Sequence, residues 1–520
     1  MKGYSITTYN KEEDFSAYPK RKIFNDIIKI LDDKDDNNLI ILYGLRSTGK
    51  STILGQILSY YKSDSIIKIK IESQDIFSSD LNYDIKILIN EGKKYFIIDE
   101  ITKIYDFSAI LESLLSLASE YNVRFILSGT DSLNFSLRKY DLLIGSAYFI
   151  NTTYIPYTEW REIIKYSIDK NVNMDDYIKS FGLLDKLNLN SIIFSKNYKY
   201  DIDKIEEYIN TAIVRNLFNS LSRDFIEHQE ELKEIYYEGK LLHVVANVIR
   251  DDSHKFIHEI NNRYNHKDVS DMLSFLPIYS DKKDTIKQNL NKNLSLLKDG
   301  IKPPLNNGII NIIKVYLFDI EIFKTYKILI FDGKTIPNSN ILNLELKKDE
   351  NNILTQPGIR YTYINATLNE IKKYGKITDE EKHLMYSSCV GALFEECILY
   401  NTIYELENYD VFKLKFRVDG KWIAEFDMII YDKNNHYVEI YEIKHGKNLK
   451  PDFTKNFANN IFIECIEKQL GKIKSKNIIY NGNDDYNHVH KSKNEQAIVI
   501  NYINVNTFFN MIKRYKEKYW

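Results

Sequence analysis

A glycine-rich stretch near the start of the chain has the residue types and spacing of a phosphate-binding loop. After the apolar run 39–43, it reads Gly44-Leu45-Arg46-Ser47-Thr48-Gly49-Lys50-Ser51-Thr52. Glycines let the backbone curl around an anion, so that N–H groups and the N-terminus of the next helix face phosphate oxygens. We expect Lys50 to bind the β- and γ-phosphates and Ser51 to ligate Mg²⁺. These nine residues predict a nucleoside triphosphate site.

Two further apolar runs end in polar residues that would complete this site. The run 95–98 leads into Asp99 and Glu100, and the run 124–127 leads into Ser128. We expect Asp99 to hold Mg²⁺ through water, Glu100 to polarise the attacking water, and Ser128 to lie near the γ-phosphate. Strands often end at charged turns, but the distance from the glycine-rich loop favours a functional interpretation.

A second set of candidate residues lies near the C-terminus. Glu442 and Lys444 stand two apart on a predicted strand, so their side chains leave the same face. Asp427 ends a neighbouring predicted strand, and Glu395 lies on the helix before it. Asp427 and Glu442 would ligate Mg²⁺, Lys444 would orient the nucleophile or stabilise charge, and Gln469 would position the lysine or the water. This set suits phosphodiester hydrolysis, although a solvated strand face or a cross-strand ion pair remains an alternative.

The composition describes a globular chain with several domains. At 520 residues it exceeds one ordinary core, and its net charge of −2 gives no general attraction to nucleic acid or anionic membrane. Locally, residues 441–480 hold eight Lys against four Asp or Glu, an excess that suits a phosphate backbone or a plain solvated surface. Three cysteines without metal-ligand spacing, and no run apolar enough for a signal peptide or a membrane span, predict a cytoplasmic protein.

Residues 1–165 alternate predicted strands with predicted helices. The expected strands are 39–43, 66–71, 95–99, 124–128 and 147–152. The expected helices are a lead-in helix at 21–31, then 50–60, 83–91 and 106–121. This alternation predicts a parallel sheet with helices on both faces and ligands at the carboxyl ends of its strands.

Residues 166–380 are less informative and are expected to be mainly helical. Helices are predicted at 174–187, 202–222, 228–249 and 283–297. The four histidines between 243 and 266 have no compact metal spacing and are expected to be solvated or capping. A winged helix-turn-helix over 235–320, with a strand at 309–318, and a plain helical lid or spacer are both open.

Residues 381–520 form the third predicted unit, an α/β domain. It begins with a helix at 383–404, continues through strands at 423–430 and 437–444, and then has a helix at 460–474 and a strand at 476–480. A last strand and a last amphipathic helix complete it.

With these motifs, the chain resembles bacterial and archaeal AAA-type ATPases that end in a restriction-endonuclease-like domain. The resemblance rests on GLRSTGKST (44–52), FIIDE, ILSGTDS, GALFEE (391–396), EFDMII (425–430), YEIKHG (441–446) and NIIYNG (477–482). It implies ATP rather than GTP, and a PD-(D/E)xK nuclease fold whose active positions match Glu395, Asp427, Glu442 and Lys444. This sequence departs from the group at Gly145-Ser146, where an arginine is usual; Arg138 or Arg161 would have to substitute.

The resemblance and the residues together predict an Mg²⁺-dependent ATPase coupled to a nuclease-like domain that acts on DNA. The alternative is an ATP-dependent switch or scaffold whose C-terminal domain binds nucleic acid or protein without cutting. A helicase-like motor is disfavoured, because the sequence contains no second motor domain. ATPases of this kind often share an arginine across subunits, so a homo-oligomer is an open expectation.

Overall fold

The computed structural model describes most of the chain in three groups of elements. The described residues are 3–9, 14–33, 38–73, 76–130, 145–169, 171–180, 184, 202–221, 229–263, 307–335, 342–373, 377–446, 454–491 and 497–517. They form a six-stranded sheet, a helical group and an eight-stranded sheet.

The N-terminal sheet contains the five expected strands and one more. Its strands are β1 (Tyr4–Thr7), β2 (Leu39–Tyr43), β3 (Ile66–Ile71), β4 (Tyr95–Asp99), β5 (Arg124–Gly129) and β6 (Ala147–Asn151), in the order β1-β3-β4-β5-β2-β6. All pairs are parallel except β1 with β3, which was not expected from the sequence. The helices are α1 (Lys22–Asp32), α2 (Lys50–Tyr61), α3 (Ser78–Asn90) and α4 (Phe107–Tyr121). The prediction of a mixed α/β unit rich in parallel strands is confirmed.

Alternating burial explains why this sheet carries helices on both faces. On β2, Leu39 and Ile41 pack in one core cluster with residues of α3 and α4. Ile40 and Leu42 pack in another with residues of α1 and α2. Because successive strand side chains point to opposite faces, a strand that is apolar throughout must be covered on both sides.

The middle of the chain is helical up to residue 319 where it is described. Its helices are α5 (Tyr157–Ile168), α6 (Met174–Lys179), α7 (Ile202–Tyr208), a π-helical turn (Ile209–Val214), α8 (Arg215–Leu221), α9 (Gln229–Tyr237), α10 (Leu241–Arg263) and α11 (Asn307–Asp319). The helix expected at 228–249 is two helices, separated at Gly239, whose φ of +73° breaks the first. The first expected helix ends at Lys179 rather than 187, and the one at 283–297 lies outside the described residues.

The strand expected at 309–318 is wrong. This segment is helix α11, and its buried residues Ile309, Ile313 and Leu317 recur at helical spacing. A run rich in isoleucine and valine has strand propensity, but packing against α10 and its neighbours decides the outcome here. The strand proposed for a winged helix-turn-helix is therefore absent from this segment.

The second sheet has eight strands. They are β7 (Phe323–Thr335), β8 (Leu342–Leu354), β9 (Asp410–Val418), β10 (Lys421–Asp432), β11 (Tyr437–Lys444), β12 (Lys472–Tyr480), β13 (Tyr486–Lys491) and β14 (Ala497–Asn504), in the order β13-β14-β12-β11-β10-β9-β7-β8. Helices α12 (Pro357–Lys373), α13 (Asp379–Glu405), α14 (Asn460–Gln469) and α15 (Val505–Glu517) accompany it. The helix expected to run to 474 ends at Gln469, because β12 already begins at Lys472.

This sheet corrects the expected boundary between the second and third units. β7 pairs in parallel with β9, so the sheet reaches back to Phe323 and a division at residue 381 would cut through it. The region 166–380 is therefore not helical throughout. Sequence patterns indicate local strands and helices, but the β7–β9 pairing joins segments about 80 residues apart, which such patterns do not predict.

One apolar core connects helices α5 and α6 to the second sheet and its helices. It contains Trp160 of α5 and Tyr177 of α6, together with Phe394 of α13 and Phe508 of α15. Among the described residues, no helix is both long and apolar enough to cross a membrane.

Candidate nucleotide and carboxylate sites

The loop between β2 and α2 requires glycine at two positions. Gly44 has a φ of +139°, and a Cβ there would lie 2.6 Å from Thr152 Oγ1. Gly49, directly before α2, has a φ of +89°. Ser47 between them also adopts a positive φ, of +61°. The loop backbone therefore curls in the manner expected of an anion-binding nest.

Lys50 is the first residue of α2 and its side chain is buried. Nζ donates hydrogen bonds to the carbonyl oxygens of Gly44 and Leu45, each at 2.7 Å. Burial lowers the pKa of Lys50 to about 8, against the opposing charges of Glu100 and Asp99. The ammonium thus lies inside the loop, where a phosphate oxygen would exchange for the carbonyls.

Asp99, Glu100 and Ser128 meet at the carboxyl ends of β4 and β5. The Ser128 hydroxyl donates to the Asp99 carboxylate. Ser128 Oγ also accepts a hydrogen bond from the Glu100 backbone N–H at 3.3 Å. Lys68 on β3 forms an ion pair with Asp99 at 3.1 Å. The structure therefore brings the predicted metal and water-activating residues beside Lys50, while Lys68 had no sequence signal.

The remaining loop residues divide into buried and accessible ones. Thr48 is buried and donates through Oγ1 to the Leu45 carbonyl at 2.8 Å. Arg46, Ser47 and Ser51 are exposed, and Thr52 is half-buried. The Ser51 hydroxyl is thus accessible to a cation at the start of α2, as its expected role requires.

Arg21, which the sequence did not single out, fastens this loop to the rest of the protein. Its buried guanidinium donates to the carbonyl oxygens of Thr48 at 2.9 Å, Thr152 at 3.1 Å and Tyr154 at 2.7 Å. It also pairs with Glu159 of α5 at 2.8 Å. Five fixed donors let one arginine join the loop, the end of β6 and α5.

The arginines considered as substitutes near the γ-phosphate do not gain support. Arg161 on α5 donates to Asn506 Oδ1 at 2.9 Å and pairs with Glu162. Its guanidinium is therefore held against α15. Arg138 lies outside the described residues.

The second set of candidate residues converges on one lysine. Lys444 Nζ lies 2.9 Å from Asp427 Oδ2 and 2.9 Å from Glu442 Oε2. Asp427 also accepts the backbone N–H of Ile443 at 2.8 Å, across the β10–β11 pair. Antiparallel pairing places Asp427 opposite the end of β11, and the two-residue spacing places Glu442 on the same face.

Burial and charge set the protonation of these groups. Burial raises the pKa of Glu442, and the neighbouring Asp427 charge raises it further. Burial alone would raise the pKa of Asp427 as well, but Lys444 and Lys413 outweigh it and hold that pKa below its usual range. The carboxylates oppose the effect of burial on Lys444, whose pKa is raised. Asp427 and Lys444 therefore form a charged pair at neutral pH.

Glu395 belongs to the same site, together with two residues that the sequence did not indicate. Carboxylate oxygens of Glu395, Glu425 and Asp427 all lie within 4.8 Å of one another. Lys413 Nζ lies 2.5 Å from Glu425 and 3.8 Å from Glu395. Three hard oxygen ligands at this spacing suit Mg²⁺ or Mn²⁺. Glu442, the other expected ligand, lies outside this group of three.

Gln469 is exposed at the C-terminal end of α14. The amide that reaches Glu442 belongs to Asn456, which donates to Glu442 Oε1 at 3.2 Å and to the Glu425 carbonyl at 2.9 Å. Asn456 precedes α14 in a short 3₁₀ turn, a place without sequence signal. Asn456, rather than Gln469, therefore brings a side-chain amide to this site.

Comparison with known proteins identifies the class of the first unit. Residues 36–161 match the family model described as an AAA domain. Together with the parallel sheet and the loop geometry, the match supports an AAA-type P-loop unit and nucleotide binding. The match covers less than half of the chain and does not extend to the second sheet.

The other comparisons are more distant. The uncharacterized protein MJ1637 of Methanocaldococcus jannaschii is 26% identical over 282 residues, 46% of this chain and 54% of that protein. The chain therefore spans about half the length of this curated relative.

Three solved structures share a remote likeness. The Aeropyrum pernix ORC1 protein in complex with DNA has 12% identity and a TM-score of 0.28, over 70% of this chain and 95% of that one. Thermotoga maritima RuvB T158V has 15% identity and a TM-score of 0.24, over 59% of this chain and 95% of that one. C. elegans PCH-2 has 14% identity and a TM-score of 0.22, over 56% of this chain and 72% of that one. Likeness this remote says nothing about the ligands of this chain.

Proposed function

We propose that this protein is an Mg²⁺-dependent ATPase whose nucleotide cycle controls a nuclease-like site acting on DNA. The observation that carries the proposal is the convergence of Asp427 and Glu442 on Lys444, each at 2.9 Å. Carboxylates with an adjacent lysine are the groups that phosphodiester hydrolysis needs.

At the nucleotide site, the chain's own residues bind and orient the triphosphate. The loop N–H groups and Lys50 take the phosphate oxygens, and Ser51 with Asp99 would hold Mg²⁺. Glu100 lies beside Ser128 and would orient the attacking water. ATP hydrolysis is thus supported by the AAA match and by the loop geometry.

At the carboxylate site, Glu395, Glu425 and Asp427 would hold the metal. A bound Mg²⁺ supplies charge neutralisation and an acidified water to such a site. Lys444 holds its proton and stabilises negative charge on the transferring phosphate, while Asn456 orients Glu442. Asp427 and Glu395 are buried, which strengthens these interactions.

Contacts between the two sites support control of one by the other. The hydroxyl of Thr158 on α5 donates to Glu405 of α13 at 2.5 Å, and α13 also carries Glu395. His445, directly after Lys444, has Nε2 2.8 Å from Asp175 Oδ1 on α6. Both helices follow the strand end that Arg21 fastens to the phosphate loop.

The test is cleavage of labelled linear and branched DNA with Mg²⁺ or Mn²⁺, with and without ATP. Wild type is compared with Lys444→Ala and Lys50→Ala, and ATP hydrolysis is measured in parallel. Cleavage lost in Lys444→Ala and altered in Lys50→Ala is the expected result. Lys433→Ala, an exposed lysine on the turn after β10, is the matched control.

One observation favours the alternative of a non-cutting switch. Lys413 and Lys444 already neutralise part of the buried carboxylates, so the cluster is compatible with a purely structural role. ATP hydrolysis abolished by Lys50→Ala, with no cleavage by wild type under any condition, would favour a switch or scaffold over a nuclease.

A further inference from the structure

The end of the β9–β10 hairpin exposes an aromatic and an aliphatic side chain to solvent. Trp422 is 56% exposed and Ile423 is 45% exposed, and they are the second and third residues of β10. By contrast, Trp160 lies fully inside the shared core. The indole combines a large apolar face with a polar N–H, which is why tryptophan is enriched at binding surfaces.

Two cations lie against the Trp422 ring. Lys415 Nζ is 5.4 Å and Arg417 Cζ is 5.3 Å from the ring centroid, both on the neighbouring strand β9. Strand pairing sets Trp422 opposite Arg417 and Glu425 opposite Lys415. The cation–π contacts therefore hold the indole in place while more than half of its surface stays open.

The indole shares its sheet face with the carboxylate site. Directly opposed residues project from the same face, so Trp422, Lys415 and Glu425 lie on one side of the sheet. The β-bulge between Trp422 and Ala424 brings Trp422, five positions before Asp427 on β10, to the face of Glu425. Five residues of strand span at most about 17 Å. A strand of nucleic acid that reaches the carboxylates along β10 would pass over this ring.

The surroundings of the ring are close to electrically balanced. Asp332 on β7 accepts from Arg417 Nε at 2.8 Å and Nη2 at 2.7 Å, and it also pairs with Lys347 at 2.6 Å. Glu345 stands opposite Asp332 on β8. Phosphate attraction is therefore weak here, and the open ring is the dominant feature.

We propose that Trp422, held by Lys415 and Arg417, is a stacking platform for an unpaired base of single-stranded nucleic acid entering the carboxylate site. This deepens the proposed function and rests on it for the identity of that site. A duplex hides its base faces, whereas every unpaired base offers one to an aromatic ring. The platform selects unpaired strands over duplexes of the same sequence.

Binding is measured with full-length protein in EDTA and without nucleotide, so that neither cleavage nor ATP hydrolysis contributes. Labelled single-stranded DNA, single-stranded RNA and the matching DNA duplex are titrated with wild type, Trp422→Ala and Trp422→Phe. Tyr237→Ala removes an aromatic side chain that is 75% exposed on α9 and serves as control. Thermal unfolding of each variant checks that the fold is intact.

We expect Trp422→Ala to weaken single-strand binding by between about 5-fold and 150-fold, the range for one stacked base. Trp422→Phe keeps most of the affinity, and Tyr237→Ala keeps all of it. The loss persists at high salt, because stacking rather than ion pairing causes it. The RNA arm tells whether the platform accepts both sugars.

Equal single-strand affinity of Trp422→Ala and wild type would overturn the platform, as would an equal loss for the duplex. The two proposals fail separately. Normal binding by Trp422→Ala with Lys444-dependent cleavage removes only the platform. Single-strand binding that needs Trp422, in a protein that cuts nothing, leaves the platform and removes only the cleavage.

Discussion

The backbone N–H of Tyr157 donates a 2.5 Å hydrogen bond to Oδ1 of Asn401, which fixes the start of α5 to the middle of α13. Asn401 in turn donates through Nδ2 to the Cys397 carbonyl at 2.6 Å, so its amide is used on both sides. Both residues are buried. The nucleotide unit and the helix bearing Glu395 therefore cannot separate here without leaving a buried backbone N–H unpaired.

Replacement of Asn401 by Ala should cost about 1–3 kcal/mol, because it leaves the buried Tyr157 N–H without its acceptor. Urea unfolding gives the change in the free energy of unfolding. Asn365→Ala is the matched control, since its amide donates to the Tyr361 carbonyl one turn back on α12 and accepts no buried backbone N–H from another element in the described contacts. A loss no larger than that of the control would contradict the role of this bond.

Replacement of Arg21 by Ala should destabilise the protein by about 3–5 kcal/mol, because the carboxylate of Glu159, which is only 10% exposed, then loses its charged partner. Three carbonyl oxygens lose their donor as well, so we also expect weaker ATP binding. Arg21→Lys keeps the charge but not the five donors and should fall between.

Calorimetric titration with ATP and urea unfolding measure the two effects of the Arg21 variants. Lys233→Ala breaks an exposed pair with Glu230 and should change stability by less than about 0.5 kcal/mol. If Arg21→Ala lost no more unfolding free energy than Lys233→Ala, Arg21 would not be what holds the loop.

ATP affinity should fall as pH rises above about 8, the pKa to which burial lowers Lys50. Below that pH the free protein carries the ammonium that phosphate binds. Above it, binding must take up a proton, so affinity drops by up to about tenfold per pH unit. Arg stays charged, so Lys50→Arg should flatten the profile between pH 7 and 9.5, measured by equilibrium titration with a non-hydrolysable ATP analogue. The same slope in Lys50→Arg would assign the pH effect to another group.

Lys413→Met should make stability depend more strongly on divalent cations. Without the lysine, the clustered oxygens of Glu395, Glu425 and Asp427 repel one another, and a cation relieves that repulsion. We expect a lower melting temperature than wild type in EDTA and a larger rise on adding Mg²⁺, followed by circular dichroism.

The matched control for Lys413→Met is Lys327→Met. Lys327 pairs with Asp410 at 2.6 Å on the same sheet but outside the carboxylate cluster. The Lys327→Met variant should lose some stability, but its melting temperature should not become more sensitive to Mg²⁺. Equal Mg²⁺ shifts in wild type and both variants would mean that the cluster takes no cation.

Local sequence was sufficient to predict those features in which one short segment contains both a strand and the functional residues at its end. The apolar run before Gly44 and the one before Asp99 are each buried strands, and the loop between strand and helix is defined by its own glycines. The expected convergence of Glu442 and Lys444 follows from a spacing of two on β11. Such features need no knowledge of distant residues.

Features that depend on long-range pairing were not predictable. Lys413 and Glu425 meet because β9 pairs with β10. Lys413 stands in no recognisable motif, and the EFDMII motif that begins at Glu425 did not assign that residue a role. Arg21 precedes an ordinary amphipathic helix, and its partners lie up to 138 residues away. β7 and β8 contain many charged residues, so their strand pairing and their contacts with α11 and α12, rather than alternation, decide their place.

Tyr157 finds a further partner 349 residues later, where its hydroxyl donates to Asn506 Oδ1 at 3.0 Å and its ring packs against Phe509 at 5.5 Å. A chain emerging from the ribosome forms its N-terminal sheet first. The part of α5 that faces α15 stays uncovered until α15 is made. A premature stop that removes α15 would therefore expose an apolar surface of a distant, already folded unit.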